Sequence, residues 1–299
     1  MLLNHRLIFF GGKGGVGKTT LAAATALSLG DALLVSTDPA HNIGHIFGTE
    51  VGDTPTLIER GVSAVEIDPS ATTATHIARV EETMRRLTPE RLHGQLRTHL
   101  QLASASPGTH EAAVLERLAE VILEGQSQYQ HIVVDTAPTG HTVRLLALPE
   151  LMGAWIDGLL GRREQSERFG SLVRGLGGAP ERRRDEEIRQ VLQRRKHLFS
   201  RLREAITDPE STAFALVTVP ERVPVTETLE LAQTLRATGI PLGGLYVNRC
   251  SPSDQGPLLA SRARQEEQQL RRLAALQLPQ QRVPLLGDAS PRALARLLA

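Results

Sequence analysis

The chain has 299 residues, 34 Lys and Arg against 33 Asp and Glu, a net charge of +1 and one cysteine. So even a balance argues against a general nucleic-acid binder, which carries a strongly basic face. A lone cysteine excludes an internal disulfide framework, and with it any zinc or iron–sulfur site built from several cysteines of one chain.

In chain order, Arg6–Phe10 reads as a short buried strand running into a glycine-rich loop, followed by a helix from about Lys18 to Leu29 that Gly30-Asp31 ends. Ala32–Ser36 and Ser63–Ile67 read as further strands, and His131–Asp135 as a strand ending on an acid. Ala213–Val219 and Leu242–Val247 follow, with a helix over Val225–Thr238 between them; Gln281–Leu285 is a last strand and Arg292–Leu298 a last helix. Short apolar strands alternating with helices predict an α/β fold: a mostly parallel sheet with helices on both faces. Two stretches break the alternation. Residues from about 71 to 125 and from about 149 to 207 read as helix only, with apolar spacing near 3.6 residues. The expected plan is a single domain over 1–299 with these two helical insertions forming a subdomain. No apolar run reaches the ~18 residues of a membrane span. The apolar stretch within Met1–Phe10 is too short for a secretory signal, so a cytoplasmic chain is expected.

Gly12-Lys13-Gly14-Gly15-Val16-Gly17-Lys18-Thr19 fits the G-x-x-x-x-G-K-[ST] phosphate loop, between a strand and a helix as that motif requires. Glycines let backbone N–H groups curl around phosphate oxygens, and the helix N-terminus adds partial positive charge. Lys18 is expected to reach the β and γ phosphates, and the Thr19 hydroxyl to meet Mg²⁺. ATP and Mg²⁺ are therefore the expected cofactors, with contacts running from Gly12 through Thr20. Lys13 stands out, because only Lys13, Lys18 and Lys196 are lysines among the 34 basic residues. A second loop lysine resembles the deviant Walker A class. That resemblance implies a lysine that reaches across a nucleotide-sandwich dimer to the partner's phosphates.

Asp38-Pro39-Ala40-His41-Asn42 follows the second strand, and Asp135-Thr136-Ala137-Pro138-Thr139-Gly140-His141-Thr142 follows the central one. Both lie where strand C-termini meet ligands in such sheets. With the loop, these segments closely resemble the arsenical pump-driving ATPase family, which includes the ATPase that targets tail-anchored membrane proteins. The resemblance covers most of the chain and implies roles position by position. Catalysis falls to Asp38, which would activate the attacking water, and to Lys13 and Lys18. Mg²⁺ would be held by Thr19, Asp38 and Asp135, partly through water, and Gly140 would let the second switch move. Glu221, in Pro220-Glu221-Arg222, and Asn248, in Val247-Asn248-Arg249, match nucleoside-contacting segments. Asn248 can both donate to and accept from adenine; Glu221 would lie at the nucleoside's edge, the alternative being a solvated residue before a helix. Pro284 and Leu285 resemble the loop over the adenine ring. His41 and His45 are spaced for a helical metal pair but lack a third ligand, so a switch-loop reading is preferred.

The sequence departs from parts of the family. Cys250 stands alone, so no multi-cysteine metalloid site forms within one chain, and the C-x-x-C zinc clamp of eukaryotic targeting factors is missing. One phosphate loop, where the pumps often have two fused halves, implies a homodimer. Leu148, Leu151, Met152, Trp155, Ile156, Leu159 and Leu160 read as core beneath a cap or as the wall of a groove for an apolar client helix. Residues 181–204 hold nine basic side chains and five acids, a solvated helix or a face for an anionic membrane or partner. The expected function is a Mg²⁺-dependent ATPase, acting at a homodimer interface to handle or target a membrane-protein client, peripheral to the membrane when it does so. The alternatives are the catalytic subunit of an arsenite efflux pump and a dimerisation switch for a soluble partner.

Overall fold

The computed structural model describes residues 2, 4–38, 42–87, 93–94, 97–98, 100, 107–136, 157 and 179–298. In order these form β1 (Leu7–Gly11), α1 (Lys18–Leu29), β2 (Ala32–Ser36), α2 (Asn42–Phe47), β3 (Thr56–Glu59), β4 (Val62–Glu66), α3 (Pro69–Leu87) and α4 (Pro107–Gly125). Then come β5 (His131–Asp135), α5 (Ala179–Thr207), β6 (Thr212–Thr218), α6 (Arg222–Ala237), β7 (Leu242–Cys250), α7 (Pro257–Ala274), β8 (Gln280–Pro284) and α8 (Pro291–Leu298).

The strands make one eight-stranded sheet in the order β3-β4-β2-β5-β1-β6-β7-β8. Every neighbouring pair is parallel except β3 with β4. The fold is thus the α/β phosphate-loop arrangement that the alternating strands and helices predict. Every residue of β1, β2 and β6 is buried, which is why these strands read as unbroken apolar runs and not as alternating ones. Successive residues point to opposite faces: Phe10 stacks on Tyr246 at 5.7 Å between ring centroids, and Phe9 on Phe214 at 6.2 Å. Helix α1 packs on β1, β2, β5 and α8. Its buried residues are mainly alanines, with Leu21, Thr25 and Lys18, and such short side chains let the helix lie close to the sheet.

Three elements have no counterpart in the sequence reading. Strand β3 pairs antiparallel with β4 and exposes Leu57, so it lacks a buried apolar run. The six-residue α2 is too short to develop periodicity. Helix α7 begins with Pro257 after Gly256, a helix-start signal, but buries only Glu266, Leu270 and Leu273 among 18 residues.

The chain divides into two compact units, one of Met1–Asp68, Ile122–Leu146 and Ala205–Ala299, the other of Pro69–Val121 and Ala147–Glu204. The first contains the whole sheet. The second is helical in its described residues, and a polar network ties its helices together. The Glu116 carboxylate lies 2.9 Å from His76 Nδ1 and 3.3 Å from Arg195 Nε. Burial alone would raise this carboxyl's pKa; the His76 hydrogen bond and the Arg195 charge outweigh it and hold the group below its usual value. Thr73 Oγ1 and His110 Nδ1 add a second link at 2.9 Å. Among the described residues no helix is long and apolar enough to cross a membrane. The apolar residues from Leu148 to Ile156, with Leu159 and Leu160, lie outside the described residues.

Candidate nucleotide site

The site grows from strand register. In the sheet, Phe10 of β1 and Ser36 of β2 both lie level with Asp135 of β5. Three chain segments therefore leave the sheet side by side: the glycine loop, Thr37-Asp38 and Thr136. Hydrogen bonds hold them there. Thr37 N–H donates to Asp135 O at 3.0 Å, and the Thr136 hydroxyl donates to Phe10 O at 2.7 Å.

Two loop glycines have no room for a side chain. A Cβ on Gly12 would overlap the carbonyl oxygen of Val217 in β6. Gly17 sits at φ +95°, in the left-handed region, and a Cβ there would overlap the Asn248 amide. The loop is thereby pressed against β6 and β7 and turns directly into α1.

Lys18 and Thr19, the first residues of α1, face this junction. Thr19 Oγ1 donates to Asp135 Oδ2 at 2.6 Å. Asp135 is fully buried, and its other oxygen, Oδ1, has no hydrogen-bond partner among the described residues. Burial pushes the Asp135 carboxyl up to about 7, and the nearby Asp38 charge adds to this, while the Thr19 bond and Lys18 oppose it. Lys18 is buried too; loss of solvent lowers its pKa, and Asp135 and Asp38 pull it back up. Its Nζ donates to Lys13 O at 3.3 Å. Asp38 N–H donates to Ser36 Oγ at 3.2 Å.

This donor set fits an anionic ligand with a hard divalent cation. Lys18 and the glycine-loop backbone supply positive potential, while the buried orphan oxygen of Asp135 and the Thr19 hydroxyl are hard oxygen donors. Mg²⁺ takes only one or two protein ligands of this kind and completes its shell with phosphate and water. When bound there it would neutralise phosphate charge.

Other expected site residues fall at the C-terminal ends of β6, β7 and β8. Asn248 is buried; its Nδ2 donates to Val16 O at 2.8 Å and its Oδ1 accepts from Arg249 N–H at 2.9 Å. These bonds use one of the two N–H donors and one of the two acceptor lone pairs of the amide. Glu221 precedes α6 and lies 3.4 Å from Arg262 Nη2. Leu285, beside Pro284, donates its N–H to Cys250 O at 2.8 Å, which brings its loop alongside Asn248. Lys13 points away from this group: its Nζ is 2.9 Å from Glu227 Oε1 on α6. His41 and Gly140 lie outside the described residues.

Three acids escaped the sequence reading. Glu66, buried at the end of β4, accepts Ile43 N–H at 2.7 Å and Gly44 N–H at 3.3 Å, anchoring α2 just after the Asp38 segment. An acid inside the apolar run Val62–Ile67 was its signal. Glu266 is buried on α7 and accepts from Ser251 N–H, the Ser251 hydroxyl and Arg262. That holds the loop after β7, yet within a charged helix nothing distinguishes Glu266 by sequence. The same is true of Glu227.

The chain is similar to known proteins. The model of the anion-transporting ATPase family matches residues 5–286. An Aquifex aeolicus protein named provisionally as an arsenical pump-driving ATPase is 33% identical over 90% of this chain and 88% of its own length. An arsenical pump-driving ATPase of Escherichia coli is 32% identical over 83% of this chain, which spans only 40% of that longer protein. An ATPase ASNA1 homologue of Dictyostelium discoideum is 32% identical over 90% of this chain and 80% of its own. With a phosphate loop pressed against β6 and β7 and two acids at the ends of adjacent strands, the chain belongs to the anion-transporting ATPase family and is an ATP hydrolase.

Proposed function

We propose that the chain hydrolyses Mg²⁺–ATP at the interface of a homodimer and uses the cycle to handle or target a membrane-protein client. The observation that carries the hydrolytic half is the Thr19–Asp135 pair beneath Lys18, with an unpartnered buried carboxylate oxygen beside it. Thr19 and Asp135 hold the metal, Lys18 holds the β and γ phosphates, and Asp38 accepts a proton from the attacking water. Asn248, Glu221 and the Pro284–Leu285 loop border the nucleoside. The homodimer rests on Lys13. One loop lysine with the backbone amides already serves the phosphates, and a second ammonium has a use when two nucleotides face each other across a dry interface.

Complementation tests the dimer. Lys13→Ala and Asp38→Asn chains should each be nearly inactive. In a mixed dimer, one site combines the intact Asp38 of the first chain with the intact Lys13 of the second. Recovery of part of the lost activity is expected, up to the statistical share of mixed dimers. No recovery where mixed dimers form would show that Lys13 serves its own site. For the client, ATP-bound protein should capture an apolar helix that the ADP-bound protein releases. Retention of a soluble partner alone would favour the switch reading.

The pump reading is disfavoured by chemistry. Soft metalloids prefer thiolates. This chain has only Cys250, whose thiol burial pushes up to about 11, with Glu266 adding to the shift. Antimonite should leave steady-state hydrolysis unchanged. A several-fold stimulation that disappears in Cys250→Ala would restore the pump reading.

A further inference from the structure

Lys13 occupies an unusual position for a residue of the phosphate loop. Its backbone carbonyl faces inward and accepts from Lys18 Nζ at 3.3 Å, so the main chain at this point belongs to the cradle. Its side chain leaves in another direction and ends on Glu227 Oε1, 2.9 Å away. Glu227 lies in the second turn of α6, a helix fixed to the sheet by Val225, Thr228, Leu231, Ala232 and Leu235, all buried. The carboxylate is thus presented by a rigid element of the same compact unit. The two side chains keep 39% and 34% of their surface exposed, so the pair is half-buried and opens without unpacking any core.

We propose that Glu227 is a positioning residue for Lys13: it holds the loop lysine on its own chain, and that ion pair must open before the ammonium can reach the phosphates of a second nucleotide. This rests on the reading that Lys13 acts across a dimer. A lysine on a flexible four-carbon stem has one ammonium to place. While it sits on Glu227, the dimer lacks the positive charge that offsets two facing Mg²⁺–ATP groups. The free energy of the cis pair is therefore subtracted from ATP-dependent association. Glu227 makes dimerisation more dependent on protein and nucleotide concentration, and a lone chain keeps its lysine parked.

The test compares wild type, Glu227→Gln, Lys13→Ala and the double variant. Specific hydrolysis is followed against protein concentration at saturating Mg²⁺–ATP, and association is followed by sedimentation with a non-hydrolysable ATP analogue. A partly exposed ion pair is worth about 0.2–1 kcal/mol. A homodimer opens two such pairs, so Glu227→Gln should reach half-maximal specific activity at roughly 2–30-fold lower protein concentration, and should sediment as a dimer at correspondingly lower concentration. Glu227→Asp, with a carboxylate too short to reach Nζ in the same geometry, should shift the same way. By sedimentation, Lys13→Ala should need more protein to dimerise, and adding Glu227→Gln to it should change nothing. That last comparison separates positioning from a structural role, which would act equally with and without the lysine.

An unshifted or upward-shifted Glu227→Gln, in a background where Lys13→Ala does shift, overturns the Glu227 assignment alone. So does an equal shift in both backgrounds. A Lys13→Ala chain that matches wild type in concentration dependence overturns the cross-dimer reading beneath it.

Discussion

Asp38→Asn should bind Mg²⁺–ATP within a few-fold of wild type and lose turnover by about 10²–10⁴-fold, the usual cost of removing a positioned base. Asp38 follows β2 directly, its N–H held by Ser36 Oγ, and its charge acts on both Lys18 and Asp135. The amide preserves size and most of the hydrogen bonding, so the loop and the Thr19–Asp135 pair should stay in place. What it cannot do is accept the proton of an attacking water. The expected signature is a fall in kcat with little change in KM, measured by phosphate release at saturating ATP. Retention of more than half the wild-type rate would remove Asp38 from the chemistry.

Asp135→Asn should have two large and opposite effects. In the metal-free protein, burial raises the folded-state pKa to about 7, well above the usual carboxylate range. The folded state then binds the proton more tightly than the unfolded state. From the acid side, stability falls as pH rises through that window and levels off above about 7, where the buried carboxylate is charged in both states. The full shift corresponds to a penalty on the order of 4 kcal/mol. Asparagine carries no such charge, so in EDTA at pH 8 the variant should melt several degrees above wild type, and the difference should shrink toward pH 4. With Mg²⁺ the order reverses in function. Proton and metal compete for this carboxylate, so wild-type Mg²⁺ affinity should weaken below pH 7, while the variant should lose metal-dependent turnover by two orders of magnitude or more. A variant that keeps wild-type Mg²⁺ dependence would disprove the metal role. A variant less stable than wild type at pH 8 would mean that the carboxylate holds the loop together.

How much of this could be read from sequence depends on the kind of signal each residue carries. The strand Leu7–Gly11, the loop to Thr19 and the strand His131–Asp135 carry local patterns, an apolar run, glycine spacing and an acid at a strand end. Such patterns need no knowledge of tertiary contacts. The order of strands was not legible, because β1 takes β5 and β6 as neighbours across long stretches of chain. The sequence marks Asn248 as an amide beside a strand end. Only the packing against Gly17, where a side chain would overlap it, turns that amide toward Val16. Lys13 was conspicuous by scarcity, but its partner Glu227 is one acid among several on α6, and nothing in the spacing joins residues 214 positions apart. Glu66 lies between these cases, since an acid in an apolar strand announces a buried acceptor without naming the donors.

The placement of β1 at the middle of the sheet also bears on how the chain is made. Leu7–Gly11 leaves the ribosome first among the strands, yet the two strands that flank it begin at His131 and Thr212. Until His131–Asp135 has been made this apolar ribbon has neither edge paired, and its second edge waits for Thr212–Thr218; before that α1 is near enough in sequence to cover it. Unpaired apolar strands of this kind invite pairing with other chains. The nucleotide cradle therefore rests on the segment most exposed to misassembly during translation. Shielding that segment until residue 212 and beyond has been made is the main demand this topology places on the cell.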